Sequence, residues 1–141
     1  MTPNAGALIP SRVSGAVRDL VDYLLFVDAA PLRGRIEGSS AFTRQFAAQG
    51  PFDAQGRSLR QLDLERRLMR YPCSYMIYSP AFDHLPATAR NAVFQRMWQV
   101  LSGEDRTPPY AALSLTDRKA VVEILRATKT DLPTYFGTVL K

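Results

Sequence analysis

Residues 86–103, PATARNAVFQRMWQVLSG, define the central helix of the predicted fold. Pro86 suits the first turn of an α-helix, and Gly103 suits the position just past its end. Between them an apolar arc repeats at helical spacing, formed by Ala89, Val93, Met97, Val100 and Leu101. Phe94 and Trp98 widen this arc. A helix with so broad an apolar surface is expected at the centre of the fold.

Three further amphipathic helices are predicted around it. The clearest begins at Ser114, which with Asp117 has the spacing of a capping box, and runs to about Thr128. An N-terminal helix is expected from about Ser14 to Val27, because its apolar residues share one side. A short helix is expected next, capped by Ser39 or Ser40 and stopped by Gly50. It carries Phe42 and Phe46 four residues apart.

The segment 58–70 has the pattern of another helix. Ser58 and Gln61 repeat the capping-box spacing, and Leu62 and Met69 would then share one side of the helix. Tyr71-Pro72 is expected to stop it, because the residue before proline is disfavoured in helical geometry.

The stretch 71–86 is expected to be a compact connector. SYMIYS at 74–79 is interpreted as a short helix, Ser79-Pro80 as the start of another, and Cys73 and His84 as packing residues. Its tyrosines are expected to be exposed. The fold class is therefore all-α: an irregular bundle of about five to six helices. We expect residues 1–13 to be a flexible N-terminal segment and 14–141 to be a single helical domain.

Composition fits a folded domain of ordinary size. The chain has 141 residues, of which 46% are hydrophobic and 22% charged, which is enough for a core and atypical of disorder. A single cysteine excludes an internal disulfide framework. The chain shows no signal-peptide pattern and no membrane-spanning run, so we expect a soluble, cytoplasmic protein, or a periplasmic one if it belongs to a longer exported chain.

The net charge of +5 comes from 15 arginines and three lysines against 13 acidic residues. Such an excess suits polyanion binding, but the arginines are spread along the chain, which is typical of an arginine-rich composition without a nucleic-acid role. The densest group is the Arg57–Arg70 stripe, with Arg60, Arg67 and Arg70 on one side of the predicted helix.

The candidate binding residues combine this stripe with the tyrosines that follow it: Arg60, Arg67, Arg70, Tyr71, Tyr75 and Tyr78. Arginines beside tyrosines can hold a nucleic-acid backbone and stack bases. They can equally cover apolar surface with their stems or dock an acidic partner domain. The apolar tail LPTYF at 132–136 is expected to fold back and close the core, and binding a partner is the alternative.

Enzymatic chemistry has little support in the sequence. Cys73 and His84 have no signature of a nucleophile and its base, and one Cys with one His does not complete a zinc site. The chain lacks both glycine-rich nucleotide-binding motifs. No catalytic residue, metal or cofactor is assigned, although a small enzyme using His84 with a carboxylate remains an alternative.

Four stretches also resemble a known group of proteins: LVDYLLFVDAAPL, GRSLRQLDLERRLMRYPCSYMIYSPAFDHLP, LSLTDRKAVVEIL and LPTYF. They are similar to the C-terminal region of larger bacterial proteins without an established activity, some of them exported or associated with haem-protein segments. The chain has no C-x-x-C-H haem attachment motif. The resemblance implies an accessory module that completes or docks on a larger, redox-associated partner. A non-catalytic protein-interaction domain is therefore the predicted function, and a nucleic-acid-binding module is an alternative.

Overall fold

The computed structural model describes residues 11–27, 40–63 and 69–138. Within them the chain forms a single all-α domain with five α-helices: α1 Ser11–Leu24, α2 Ser40–Ala48, α3 Pro80–Asp83, α4 Ala87–Leu101 and α5 Leu115–Thr128. Three short 3₁₀ helices connect or follow them: Tyr75–Tyr78, Tyr110–Ala112 and Thr134–Gly137. The number of helices lies at the lower end of the predicted range.

Helix α4 is central, as its sequence predicts. It packs against α1 and α5, and it contributes a buried row of side chains to the core: Val93, Phe94, Met97, Val100 and Leu101. From α1 the core receives Val21, Leu24 and Leu25. No helix among the described residues has both the length and the apolar character needed to cross a membrane.

The predicted cap of α5 is present. Ser114 Oγ accepts a hydrogen bond from the backbone N–H of Asp117 at 3.1 Å, which satisfies a donor in the first helical turn. On the buried side, the Arg118 guanidinium donates to two backbone carbonyls, Leu101 O at 3.2 Å and Leu113 O at 3.3 Å. Arg118 therefore links the start of α5 to the end of α4, where a cation also opposes the negative end of the helix dipole.

The tail folds back as expected. Phe136 is 1% exposed, and its ring lies 5.0 Å from that of Trp98 and 6.2 Å from that of Phe94. Both distances are in the range of favourable aromatic pairs. The 3₁₀ helix Thr134–Gly137 thus covers the aromatic face of α4.

The predicted helix over 58–70 is wrong for the residues described there. Half of its capping box forms: Gln61 Oε1 accepts from Ser58 N at 3.3 Å, but Ser58 Oγ accepts from Arg60 N at 3.0 Å, and Gln61 N donates to Ser58 O at 3.2 Å. After this turn, however, the chain reverses. Leu62 forms an antiparallel bridge with Met69, and Arg70 N donates to Gln61 O at 2.9 Å. The capping pair therefore stabilises a turn, not a continuing helix.

The connector 71–86 is compact, as predicted. Ser79 Oγ accepts from Phe82 N at 3.2 Å and caps α3, with Pro80 in the first turn. Cys73 is fully buried, as expected of a packing residue. His84, in contrast, is exposed at the C-terminal end of α3, so its interpretation as a packing residue is wrong.

Candidate interaction surface

Arg60 lies between two aromatic rings. The guanidinium carbon is 4.4 Å from the centre of the Tyr75 ring and 4.9 Å from that of Phe46. The two rings themselves are 5.2 Å apart in an edge-to-face arrangement. Because each contact is a cation–π interaction, the arginine joins α2 to the 3₁₀ helix Tyr75–Tyr78.

The backbone at Gly50 fixes the orientation of this guanidinium. Arg60 Nε donates to Gly50 O at 3.0 Å. Gly50 has a φ of +55°, and a Cβ added there would lie 2.8 Å from the Phe52 ring. A glycine is therefore required, both for the left-handed backbone and for the close approach of Phe52.

Two exposed apolar residues adjoin this arrangement along the chain. Phe52, whose ring covers Gly50, is 48% exposed, and Met76, which follows Tyr75 in the chain, is 42% exposed. We define the Arg60 surface as this set: Phe46, Phe52, Arg60, Tyr75 and Met76. Within the described ranges, the terminal nitrogens Nη1 and Nη2 of Arg60 have no hydrogen-bond partner. The surface therefore offers a fixed cation bordered by apolar side chains.

The structure separates the other predicted binding residues. Arg70 is exposed and lies 5.6 Å from the ring centre of Tyr71, but Tyr71 itself is only 8% exposed. Arg67 lies outside the described residues. Tyr75 and Tyr78 are both half-buried. The expectation that the tyrosines are exposed is therefore wrong, because their rings pack against the core or against Arg60.

Tyr78 is directed to α5. Its hydroxyl lies 2.6 Å from Thr128 Oγ1, and Thr128 Oγ1 in turn donates to Ile124 O at 2.7 Å, so the tyrosine is the donor. Burial raises the pKa of Tyr78 to about 12. This hydroxyl is a structural contact between the connector and α5.

Arg57, at the start of the predicted stripe, is held by two carboxylates. Its Nε is 2.7 Å from Asp53 Oδ2, and its Nη2 is 3.0 Å from Glu123 Oε1 on α5. Burial raises the pKa of Asp53, but hydrogen bonds from the backbone and side chain of Arg57 outweigh it and leave that pKa below its usual value. Arg57 thus attaches the 50–57 turn to α5, while Arg60 points to α2.

The thiol of Cys73 lies in apolar surroundings. Burial raises its pKa to about 12, so at neutral pH the group is protonated and unreactive. Its sulfur lies 3.9 Å from Ser74 O, as a weak donor. His84, the other residue of the enzyme alternative, is exposed eleven positions further along the chain.

A second cluster of charges joins the ends of α3 and α5. Lys129 is buried, and its Nζ lies 2.7 Å from Asp83 Oδ1 and 3.2 Å from Asp131 Oδ1. The hydrogen bond from Lys129 lowers the pKa of Asp83. Arg90 also donates to the backbone oxygen of Asp83 at 2.9 Å. These cations are paired within the fold.

The sequence predicts only part of the Arg60 surface. Arg60 and Tyr75 are both predicted binding residues, whereas the sequence pattern indicates only a helical spacing for Phe46 and no role for Phe52. The positive φ of Gly50 could have been suspected from the Gly50-Pro51-Phe52 stretch after a helix. The pairing of Phe46 with Arg60, fourteen residues away, has no local signal.

Comparisons with protein-family models, with curated proteins and with solved structures found no match to this chain. The resemblance to the C-terminal region of larger bacterial proteins, and the redox-associated partner that it implies, therefore stay predictions.

Proposed function

We propose that this chain is a non-catalytic protein-interaction domain that uses the Arg60 surface to dock on another protein. The observation that supports the proposal is the guanidinium of Arg60, fixed between Phe46 and Tyr75 by 4.9 Å and 4.4 Å contacts, beside the exposed Phe52 and Met76. Arginine and aromatic side chains are enriched among the residues that dominate the binding energy of protein interfaces.

The rigidity of Arg60 favours binding. An arginine loses side-chain entropy when a partner immobilises it, and that loss reduces affinity. Here the two ring contacts and the 3.0 Å hydrogen bond to Gly50 O already hold the side chain. Its terminal nitrogens can then donate to a carboxylate or carbonyl of the partner with little further ordering.

Site-specific photo-cross-linking in cells that naturally produce the chain tests this proposal. A benzoyl-phenylalanine placed at Phe52 or Met76 is expected to capture a discrete protein adduct. The same photo-reactive residue at Tyr23, an exposed aromatic on α1, is the control and is expected to capture none. Equal capture from all three positions would contradict the proposal.

The role of Arg60 is tested in the same experiment. Arg60→Lys keeps the charge but loses the planar guanidinium, so the adduct is expected to decrease by about fivefold. Arg44→Lys, on an exposed arginine of α2, is the matched control and should leave the adduct unchanged. Circular dichroism of both variants verifies that they fold.

The cross-link also distinguishes the two alternatives. An adduct that nuclease digestion removes would support the nucleic-acid-binding alternative and contradict a protein partner. The enzyme alternative requires the imidazole of His84. If His84→Ala folds and keeps the biological activity, the case for catalysis by His84 is removed.

A further inference from the structure

A groove lies between α5 and the end of the C-terminal 3₁₀ helix. It has a volume of about 380 Å³ and is lined by Leu115, Lys119, Val122, Glu123, Arg126 and residues 136–138. The residues contributed by α5 are spaced three and four apart, so they form one face of the helix. None of them belongs to the Arg60 surface.

The charged side chains of the groove differ in whether they pair with another residue of the fold. Glu123 Oε1 accepts from Arg57 Nη2 at 3.0 Å, so this carboxylate is engaged within the fold. Lys119 and Arg126 are exposed on either side of it. Over the described ranges 11–27, 40–63 and 69–138, neither of these two cations has an acidic partner. The groove therefore presents two available positive charges.

The lining of the groove also contains apolar residues. Leu115, in the first turn of α5, is 51% exposed, and two buried residues, Val122 and Phe136, also border the groove. Gly137 lies beside Arg126 in the lining, where a Cβ would be 3.9 Å from Arg126 Nη2, an ordinary contact distance. An apolar side chain can enter here beside the two cations.

We propose that this groove binds an extended, acidic segment of a partner protein, with an apolar side chain against Leu115 and carboxylates on Lys119 and Arg126. Charge complementarity selects this occupant. The two cations are seven residues apart in α5, which corresponds to about 10 Å along the helix axis. In an extended chain of the polyproline II type, which has three residues per turn, acidic residues three positions apart lie on the same side and span about 9 Å.

The test uses the full chain and the synthetic peptide Ac-Gly-Glu-Leu-Ala-Glu-Gly-NH2, followed by ¹⁵N NMR titration. Addition of the peptide is expected to shift the backbone amide signals of Lys119, Arg126 and Gly137. The peptide with both Glu replaced by Gln is expected to bind about tenfold more weakly, because its charge pairs are lost. Equal affinity for the two peptides would overturn the proposal, as would the absence of shifts in the groove.

Spacing is tested with a peptide of the same composition, Ac-Gly-Glu-Glu-Leu-Ala-Gly-NH2, in which the acidic residues are adjacent. We expect it to bind more weakly than the first peptide. If it binds equally well, the assignment of an extended segment with acids three positions apart is wrong.

Charge reversal locates the site on the protein. The double variant Lys119→Glu/Arg126→Glu is expected to weaken peptide binding by at least about tenfold. Arg18→Glu/Arg44→Glu changes the net charge equally on exposed residues of α1 and α2, and should leave the affinity within about twofold. Equal losses in both double variants would show binding to net charge alone and overturn the proposal.

Two further measurements separate this groove from other surfaces. Arg60→Lys should bind the peptide unchanged, so failure of the groove is distinguishable from failure of the Arg60 surface. Sedimentation velocity tests for a second copy as occupant. A dimer that dissociates in the Lys119→Glu/Arg126→Glu variant would overturn the proposal of a partner segment.

Discussion

The region 87–136 and the region 46–78 are stabilised in different ways. In the first, two long helices and the 3₁₀ helix at 134–137 enclose a continuous apolar core that includes Phe94, Met97 and Phe136. In the second, polar side chains make specific contacts. Ser58 forms a hydrogen bond with Gln61, and Arg60 forms cation–π contacts with Phe46 and Tyr75. The comparison teaches that helical periodicity indicates the first kind of region, whereas specific side-chain contacts determine the second.

The largest effect is expected in the first region. Phe94→Ala removes a ring that contacts Phe82 at 5.5 Å and Phe136 at 6.2 Å, and should lower the free energy of unfolding by about 3–5 kcal/mol. Phe52→Ala, at a ring that is half exposed in the second region, is the matched control and should cost no more than about 1 kcal/mol. Urea unfolding followed by circular dichroism measures both. Equal losses would contradict the division into two regions.

Each region contains an arginine that lies over an aromatic ring, so substitution of these two arginines compares the regions directly. Arg96 is buried, with its Nη2 2.8 Å from Asp105 Oδ2 and its guanidinium 4.9 Å from the centre of the Tyr110 ring. Arg96→Ala should cost about 3 kcal/mol, because it breaks a largely buried ion pair. Arg60→Ala, which loses one hydrogen bond and two ring contacts, should cost about 1–2 kcal/mol. The same urea titration compares them, and a larger loss for Arg60→Ala would reverse the expected order.

Alkaline pH is expected to act through Cys73, a buried residue of the second region. Its pKa is raised from 9.0 to about 12, so the unfolded chain releases the thiol proton at a lower pH than the folded chain does. The stability from this group is complete below pH 9 and is lost as the pH rises toward 12. By pH 10 the loss should be about 1.4 kcal/mol.

The control for this prediction is Cys73→Ala, which lacks the thiol and should lose less stability between pH 8 and pH 10. Unfolding free energies of both proteins at the two pH values measure the difference. Identical pH slopes would show that Cys73 ionises normally in the folded chain. Labelling of Cys73 by a thiol reagent should also be slow in the folded protein.

The smallest effect is expected at the ion pair of the exposed Asp83 with the buried Lys129. The pKa of Asp83 is lowered from 3.8 by its hydrogen bond from Lys129, so its contribution to stability is present above pH 3.8 and is lost as the pH falls through the folded value. Asp83→Asn should therefore reduce the acid dependence of the melting temperature slightly. Asp117→Asn, at a carboxylate in the first turn of α5, is the control.

The sequence predicted most of the first region and less of the second for a physical reason. Repeating apolar residues in α4 and α5 are sufficient to place a helix and its buried face, and Ser114 marks the start of α5. At 58–70, the Ser58–Gln61 cap and the Leu62–Met69 spacing are satisfied equally well by a turn and an antiparallel bridge. Local spacing does not distinguish these two structures.

The candidate surface shows the same limit of local patterns. Arg60 and Tyr75 were predicted from residue type, and the structure brings them together. Tyr71 and Tyr78 have the same residue type, yet one is buried and the other donates to Thr128, fifty residues away. Their exposure depends on contacts between distant segments, which spacing in the sequence does not reveal.

The position of Phe136 in the fold has a consequence for synthesis of the protein. Because its ring covers Phe94 and Trp98, the aromatic face of α4 stays uncovered on the ribosome until residue 136 has left the exit tunnel. Helices α1 and α4 can meet earlier, but the core closes only afterwards. During translation, the nascent chain therefore presents its aromatic residues to chaperones over the whole interval between the emergence of α4 and that of Phe136.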